Sequence, residues 1–109
     1  MNAALRVMLA LAALTAAASA AHAQDATALR ARSLAATCAQ CHGTDGRPAE
    51  PASTAVPALA GMPAAQLVAQ MTAFRNGTRS GTVMPQLAKG FNDAQIAQLA
   101  AWFAAAPAP

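Results

Sequence analysis

The chain has 109 residues, 56% of them hydrophobic and 10% charged, with a formal net charge of +3. That length allows one small domain and leaves no room for a dinucleotide-binding domain, for which no G-x-G-x-x-G run is present either. The basic residues form no run and are not interleaved with aromatics, which excludes an ordinary nucleic-acid-binding surface.

Met1 to Arg6 carries one positive charge, and Val7 to Ala18 is nearly all Ala, Leu, Met and Val. Small residues then lead to Ala21-His22-Ala23, completing the three-part layout of a secretory signal peptide. The apolar stretch is about a dozen residues long, short of the ~20 that a membrane-spanning helix needs. Residues 1–23 are therefore expected to be a signal peptide cleaved after Ala23. The exported, periplasmic domain would cover residues 24–109, with no membrane span left after cleavage. Its charges are Arg30, Arg32, Arg47, Arg75, Arg79 and Lys89 against Asp25, Asp45, Glu50 and Asp93, a modest positive excess.

Beyond Ala23 the signals are helical. A first helix is predicted from about Ala26 to Ala39, with Asp25 or Thr27 as N-cap. Leu34, Cys38 and Cys41 then share one face of it. Gly43 to Ala58, with two Gly and three Pro, reads as a loop. A second helix opens near Pro63, carries an apolar stripe of Leu67, Val68, Met71 and Phe74, and stops at Asn76-Gly77. Gly77 to Gly90 reads as a further loop holding Met84-Pro85. The last helix starts at Asn92, with Gln95 as its capping-box partner and Ile96, Leu99, Ala100 and Phe103 as its inner stripe. Pro107 and Pro109 end it in a frayed tail.

No alternating run announces a strand. The fold class is all-α, with three main helices and two long loops. Loops of that length in so small a domain usually wrap something. The limited core also calls for a staple, and two cysteines three positions apart make a poor one.

Residues 38–46 read CAQCHGTDG and hold the only two cysteines of the chain. Three chemistries use a Cys-x-x-Cys-His cluster. A redox disulfide belongs at a helix start within a βαβ pattern, and none is visible. A structural zinc site takes four ligands, whereas the exported part offers Cys38, Cys41 and His42. Covalent haem attachment needs both sulfurs on one side of a helical turn, to reach the two vinyl groups on one porphyrin edge, and a histidine one step on to reach the iron. Export fits the third reading, and so does a chain in want of a large apolar cofactor.

With CAQCHGTDG (38–46), PALAG (57–61), QMTAFRNG (70–77) and MPQLAKGFNDAQIAQLAAWFA (84–104) in that order, the chain resembles the class I c-type cytochromes. Within them it is most similar to the small periplasmic cytochromes that resemble the haem subunit of flavocytochrome c sulfide dehydrogenase. The resemblance implies the small class I fold around one covalently bound haem c. It implies thioether bonds at Cys38 and Cys41, His42 as proximal iron ligand and Met84 as distal ligand. It also implies that Pro57 supplies a carbonyl to the His42 ring and that Leu59 packs on the porphyrin. Met71 reads as core packing, and Met62 comes too early to match the ligand position. Ile96, Leu99 and Phe103 are expected to meet the N-terminal helix near Leu34, and Trp102 to pack at the core or its rim. Arg75, Arg79 and Lys89 read as solvated surface charge rather than haem partners.

The function implied is that of a periplasmic monohaem electron carrier, not an enzyme, serving redox protein partners. The alternative is the haem subunit of a sulfide dehydrogenase-type complex, taking electrons from a flavoprotein. A haem sensor or small peroxidase with an open iron ranks behind both, because no second histidine or distal acid–base pair is evident.

Overall fold

Between Ala3 and Ala36 there is neither glycine nor proline, and alanine, the best helix former, dominates. In the computed structural model, which describes residues 1–49 and 56–109, this whole stretch is one helix, α1 (Ala3–Ala36). Neither Asp25 nor Thr27 caps it. Thr27 instead donates from Oγ1 to the Ala23 carbonyl at 2.9 Å, one turn back. In the uncleaved chain the helix therefore starts at Ala3 rather than near Ala26, since nothing in the local sequence interrupts it there. The predicted loop over residues 50–55 lies outside the described residues.

The chain divides into two compact units, Met1–Arg30 and Ala31–Pro109. The first is the N-terminal part of α1, where Leu5, Val7, Met8, Leu9, Leu11 and Leu14 are all exposed. By length and composition alone, α1 is apolar and long enough to cross a membrane.

The second unit holds the end of α1, a one-turn α2 (Ala39–His42), a 3-10 turn at Thr44–Gly46, and then α3 (Ala64–Asn76), α4 (Met84–Ala88) and α5 (Asp93–Ala105). No strand occurs among the described residues. Pro63, φ −54°, leads into α3, and Gly77 closes it in the left-handed region at φ 78°, donating its N–H to the Phe74 carbonyl. A glycine takes that conformation without the Cβ penalty other residues meet.

The hub is α3, which packs most extensively on α4 and α5. Leu67 and Met71, four apart, are buried on it, and Phe74 packs against the same cluster. Val68, expected on that stripe, is exposed. It lies instead on the outer side of α3, where Ala65, Val68, Ala69, Thr72, Ala73, Asn76 and Thr78 line a shallow recess of about 590 Å³. From α4 the core receives Ala88, wholly buried. A five-residue helix with no apolar repeat escapes periodicity arguments, so the loop expected across Gly77 to Gly90 is corrected at Met84–Ala88. Pro85 suits its first turn, where a missing N–H costs nothing.

Ile96, Leu99, Ala100 and Phe103 are buried to 1% exposure along α5, as the stripe predicts. They join Ala35 of α1 in one cluster, with Leu34 and Trp102 packed against it. Asn92 and Gln95 form the predicted capping box. The Gln95 N–H donates to Asn92 Oδ1 and the Asn92 N–H to Gln95 Oε1, both at 2.9 Å. Asn92→Ala is expected to lower unfolding free energy by about 1 kcal/mol in a denaturant titration. An unchanged midpoint would show that the box contributes nothing.

Two further expectations need correcting. Arg75 is not a solvated charge: its guanidinium donates to the Phe91 carbonyl at 3.2 Å and pairs with Asp93 at 2.5 Å, tying α3 to the start of α5. Nor is the C-terminus frayed at Pro107, whose carbonyl accepts two hydrogen bonds from Arg47. Both ties link residues far apart in the chain, which local patterning does not register. Arg79 stands over the Phe74 ring, 4.6 Å from its centroid.

Candidate functional site

The CAQCHGTDG segment does not continue α1. The Thr37 and Cys38 N–H groups donate to the Leu34 and Ala35 carbonyls, 3.1 and 3.0 Å away, in a tightened last turn. The Thr37 hydroxyl adds a bond to the Leu34 carbonyl at 2.7 Å. The single helix expected through Ala39 is therefore broken at Thr37–Cys38. The motif then occupies a turn of its own, in which the Cys38 carbonyl accepts from the N–H groups of Cys41 (3.3 Å) and His42 (2.9 Å). Cys38 is half-buried against the core cluster and Cys41 is exposed, and the two are not joined in a disulfide.

Burial pushes the Cys38 thiol above its ordinary range, against a smaller opposing effect of the Thr37 hydroxyl. Disulfide oxidoreductases need the reverse, a thiol pulled down to the thiolate. Nor do three His, Cys, Asp or Glu side chains converge on one point among the described residues, as a zinc site demands. The turn thus carries a half-buried thiol, an exposed one and a histidine, with no closed ligand cage among the described residues.

His42 is buried, at 8% exposure. Its Nδ1 lies 2.7 Å from the Pro57 carbonyl oxygen. A carbonyl can only accept, so Nδ1 carries a proton, and in the neutral ring the lone pair then lies on Nε2. That is the tautomer a metal-binding imidazole needs, with the ring held by its other nitrogen.

The Pro57 carbonyl is brought there through Gly46. This residue is buried with φ +76°, and a Cβ on it would come within 2.8 Å of the Ala60 nitrogen and 2.9 Å of Leu59 Cβ and Phe103 Cδ1. Only glycine fits. Its carbonyl accepts from the N–H groups of Leu59 (2.9 Å) and Ala60 (3.1 Å), pinning the PALAG segment beside the motif. Pattern reading alone does not single out Gly46. Its signal is the Asp45-Gly46 pair, in which Asp45 also adopts positive φ, at 53°.

Leu59 is half-buried against the core cluster, as are Met62 and Met84, whereas Met71 is buried within it. Met84 opens α4, and Val83 and Leu87 beside it are exposed. The structure thus brings Cys38, Cys41, His42, Pro57 and Gly46 into one assembly and puts Met84 on a separate element facing the shared cluster. The large recess outside α3 includes none of these residues. A smaller one, of about 180 Å³, lies between Arg32, Ala35, Ala36, Ala39, Thr44, Asp45 and Trp102.

The family model for cytochrome c matches residues 28–106. The chain belongs to the cytochrome c family. Among solved structures, it is similar to cytochrome c4 of Acidithiobacillus ferrooxidans, at 42% identity and a TM-score of 0.55. That match covers 62% of this chain and 37% of the cytochrome c4 chain, so this chain matches well under half the length of that relative. None of the curated proteins compared with it matches.

Membership makes this a class I c-type cytochrome of helical fold with a covalently attached haem c, in a family of electron carriers. The residues present fit that group: paired thiols on one turn, a buried imidazole with its Nε2 lone pair free, and half-buried apolar side chains around the cluster.

Proposed function

We propose that this cytochrome is a periplasmic monohaem carrier of single electrons with His42 and Met84 as iron ligands. The reading rests above all on His42, buried and fixed by the Pro57 carbonyl in the tautomer that leaves Nε2 available. When bound, the haem supplies a reversible one-electron Fe(III)/Fe(II) couple. Cys38 and Cys41 keep the cofactor on the chain through thioether bonds. His42 is held against rotation by its hydrogen bond, and Met84 completes the coordination shell, its thioether raising the reduction potential. Pro57 and Leu59 belong to the pocket, where Leu59 keeps water out.

Export follows from residues 1–23 acting as a signal peptide. Cleavage after Ala23 removes the carbonyl that Thr27 now bonds, leaving Asp25 and Thr27 near a new helix start, where side-chain oxygens stabilise N–H groups. Mass spectrometry of the holoprotein is expected to give a chain beginning at Gln24 with one haem attached. A chain retaining Met1 would make α1 a membrane anchor instead. A chain without haem would overturn the carrier reading.

A second reading is favoured by the exposed Val83 and Leu87 beside Met84, an apolar surface suited to docking. In it the cytochrome is the haem subunit of a complex resembling flavocytochrome c sulfide dehydrogenase, and a flavoprotein is the donor. The cytochrome c4 structure is described as supporting a complex-induced tuning of electron transfer in that protein, and a partner at this surface would act here in a comparable way. Co-purification of a flavin-containing subunit supports this reading. A cytochrome that stays monomeric while reducing unrelated oxidases supports the free carrier.

A further inference from the structure

The C-terminal end of the chain is fastened to the segments on either side of the Pro57 carbonyl. Arg47 donates from Nε and Nη2 to the Pro107 carbonyl, at 3.0 and 2.6 Å. At Gly61 a Cβ would lie 2.8 Å from Ala108 Cβ and 3.0 Å from Ala108 Cα, so the tail rests directly on the glycine backbone. The Phe103 carbonyl near the end of α5 also accepts from the Gly61 N–H, at 2.8 Å.

These ties act on the frame that holds His42. Arg47 follows Gly46, whose carbonyl binds Leu59 and Ala60, and Gly61 ends the segment that Pro57 begins. Two N–H groups of one planar guanidinium on one carbonyl fix direction as well as distance. Pro107 and Pro109 have restricted φ, so ordering the tail loses little chain entropy.

We infer that Arg47 and the Pro107–Pro109 tail form a clasp that sets the strength of the His42–Pro57 hydrogen bond and, through it, the reduction potential. Arg47 is here a positioning residue, and the inference rests on His42 being the iron ligand. A strong acceptor on Nδ1–H makes Nε2 a better electron donor, which favours the oxidised state. Loosening the clasp lets the Pro57 carbonyl move away, weakens that donation and moves the potential in the positive direction.

The test uses the haem-loaded protein in five forms: unmodified, ending at Ala106, Arg47→Ala, Arg47→Lys, and truncated with Arg47→Ala. The readouts are midpoint potential and the exchange rate of the His42 Nδ1 proton by NMR. Truncation and Arg47→Ala should each raise the potential and speed exchange, and the combined variant should do no more than either alone. Arg47→Lys, with a point charge in place of the fork, should fall between. Unchanged potential and exchange overturn the inference even if thermal stability falls, since the clasp is then only structural. Additive shifts overturn it too, because the two parts would not be one device. Failure of the ligand assignment shows separately, as the absence of a histidine-ligated low-spin spectrum in the unmodified protein.

Discussion

Phe103→Ala is expected to destabilise the protein by about 3–5 kcal/mol, the range for deleting a buried aromatic ring. Phe103 is 1% exposed and packs with Ile96, Leu99, Leu67 and Met71. Its ring also closes on Gly46, whose missing Cβ would sit 2.9 Å from Phe103 Cδ1. Alanine therefore loses the ring's transfer free energy, and the gap opens beside a glycine that has no side chain to fill it. Against the roughly 5–15 kcal/mol of total stability usual for small domains, this is a large fraction. Phe103→Leu, which retains most of the volume, should cost less. Denaturant titration of the haem-loaded variants measures both. A loss for Phe103→Ala of under about 1 kcal/mol, the level of an average substitution, would contradict the central place given to this ring.

Met84→Ala should leave the fold and the covalent haem in place while opening the distal position. Carbon monoxide should then bind the reduced protein. The midpoint potential should fall by a sizeable part of the roughly 0.8 V over which axial ligands move haem potentials. Met84 is half-buried, so some lost packing is also expected. That loss changes stability, whereas ligand loss changes the spectrum and potential, and the two are separable. Met62→Ala and Met71→Ala provide the comparison, since both methionines touch the same cluster without being assigned to the iron. A potential that moves with Met62 and stays fixed with Met84 would transfer the assignment.

Local chemistry made much of this fold readable. The Asn92–Gln95 capping box, the α5 stripe and the Pro63-to-Gly77 limits of α3 all depend on residues within a turn or two, where patterning has physical force. The Cys-x-x-Cys-His spacing was readable for the same reason, since one turn of helix determines which groups share a side. Other features depend on a local bond that patterning does not register, or on contacts between distant residues. The break at Thr37 gives the motif its own turn, and no proline or glycine announces it. Short α4 owes its place to packing on α3 rather than to an apolar repeat. The Arg75–Asp93 and Arg47–Pro107 ties, and the exclusion of a side chain at Gly46, arise only after folding. In the uncleaved chain, alanine propensity carries α1 through the point where a cap was expected after cleavage.

The central claim is that His42 and Met84 both hold the iron of a carrier. Absorption spectra of the purified protein, oxidised and reduced, with and without carbon monoxide, test it most directly. The account predicts low-spin haem, a methionine–iron charge-transfer band in the oxidised form and no response to carbon monoxide. A carbon monoxide shift in the unmodified protein would contradict it. The iron would then have an open position, and sensing or peroxide chemistry would replace electron carriage as the better reading.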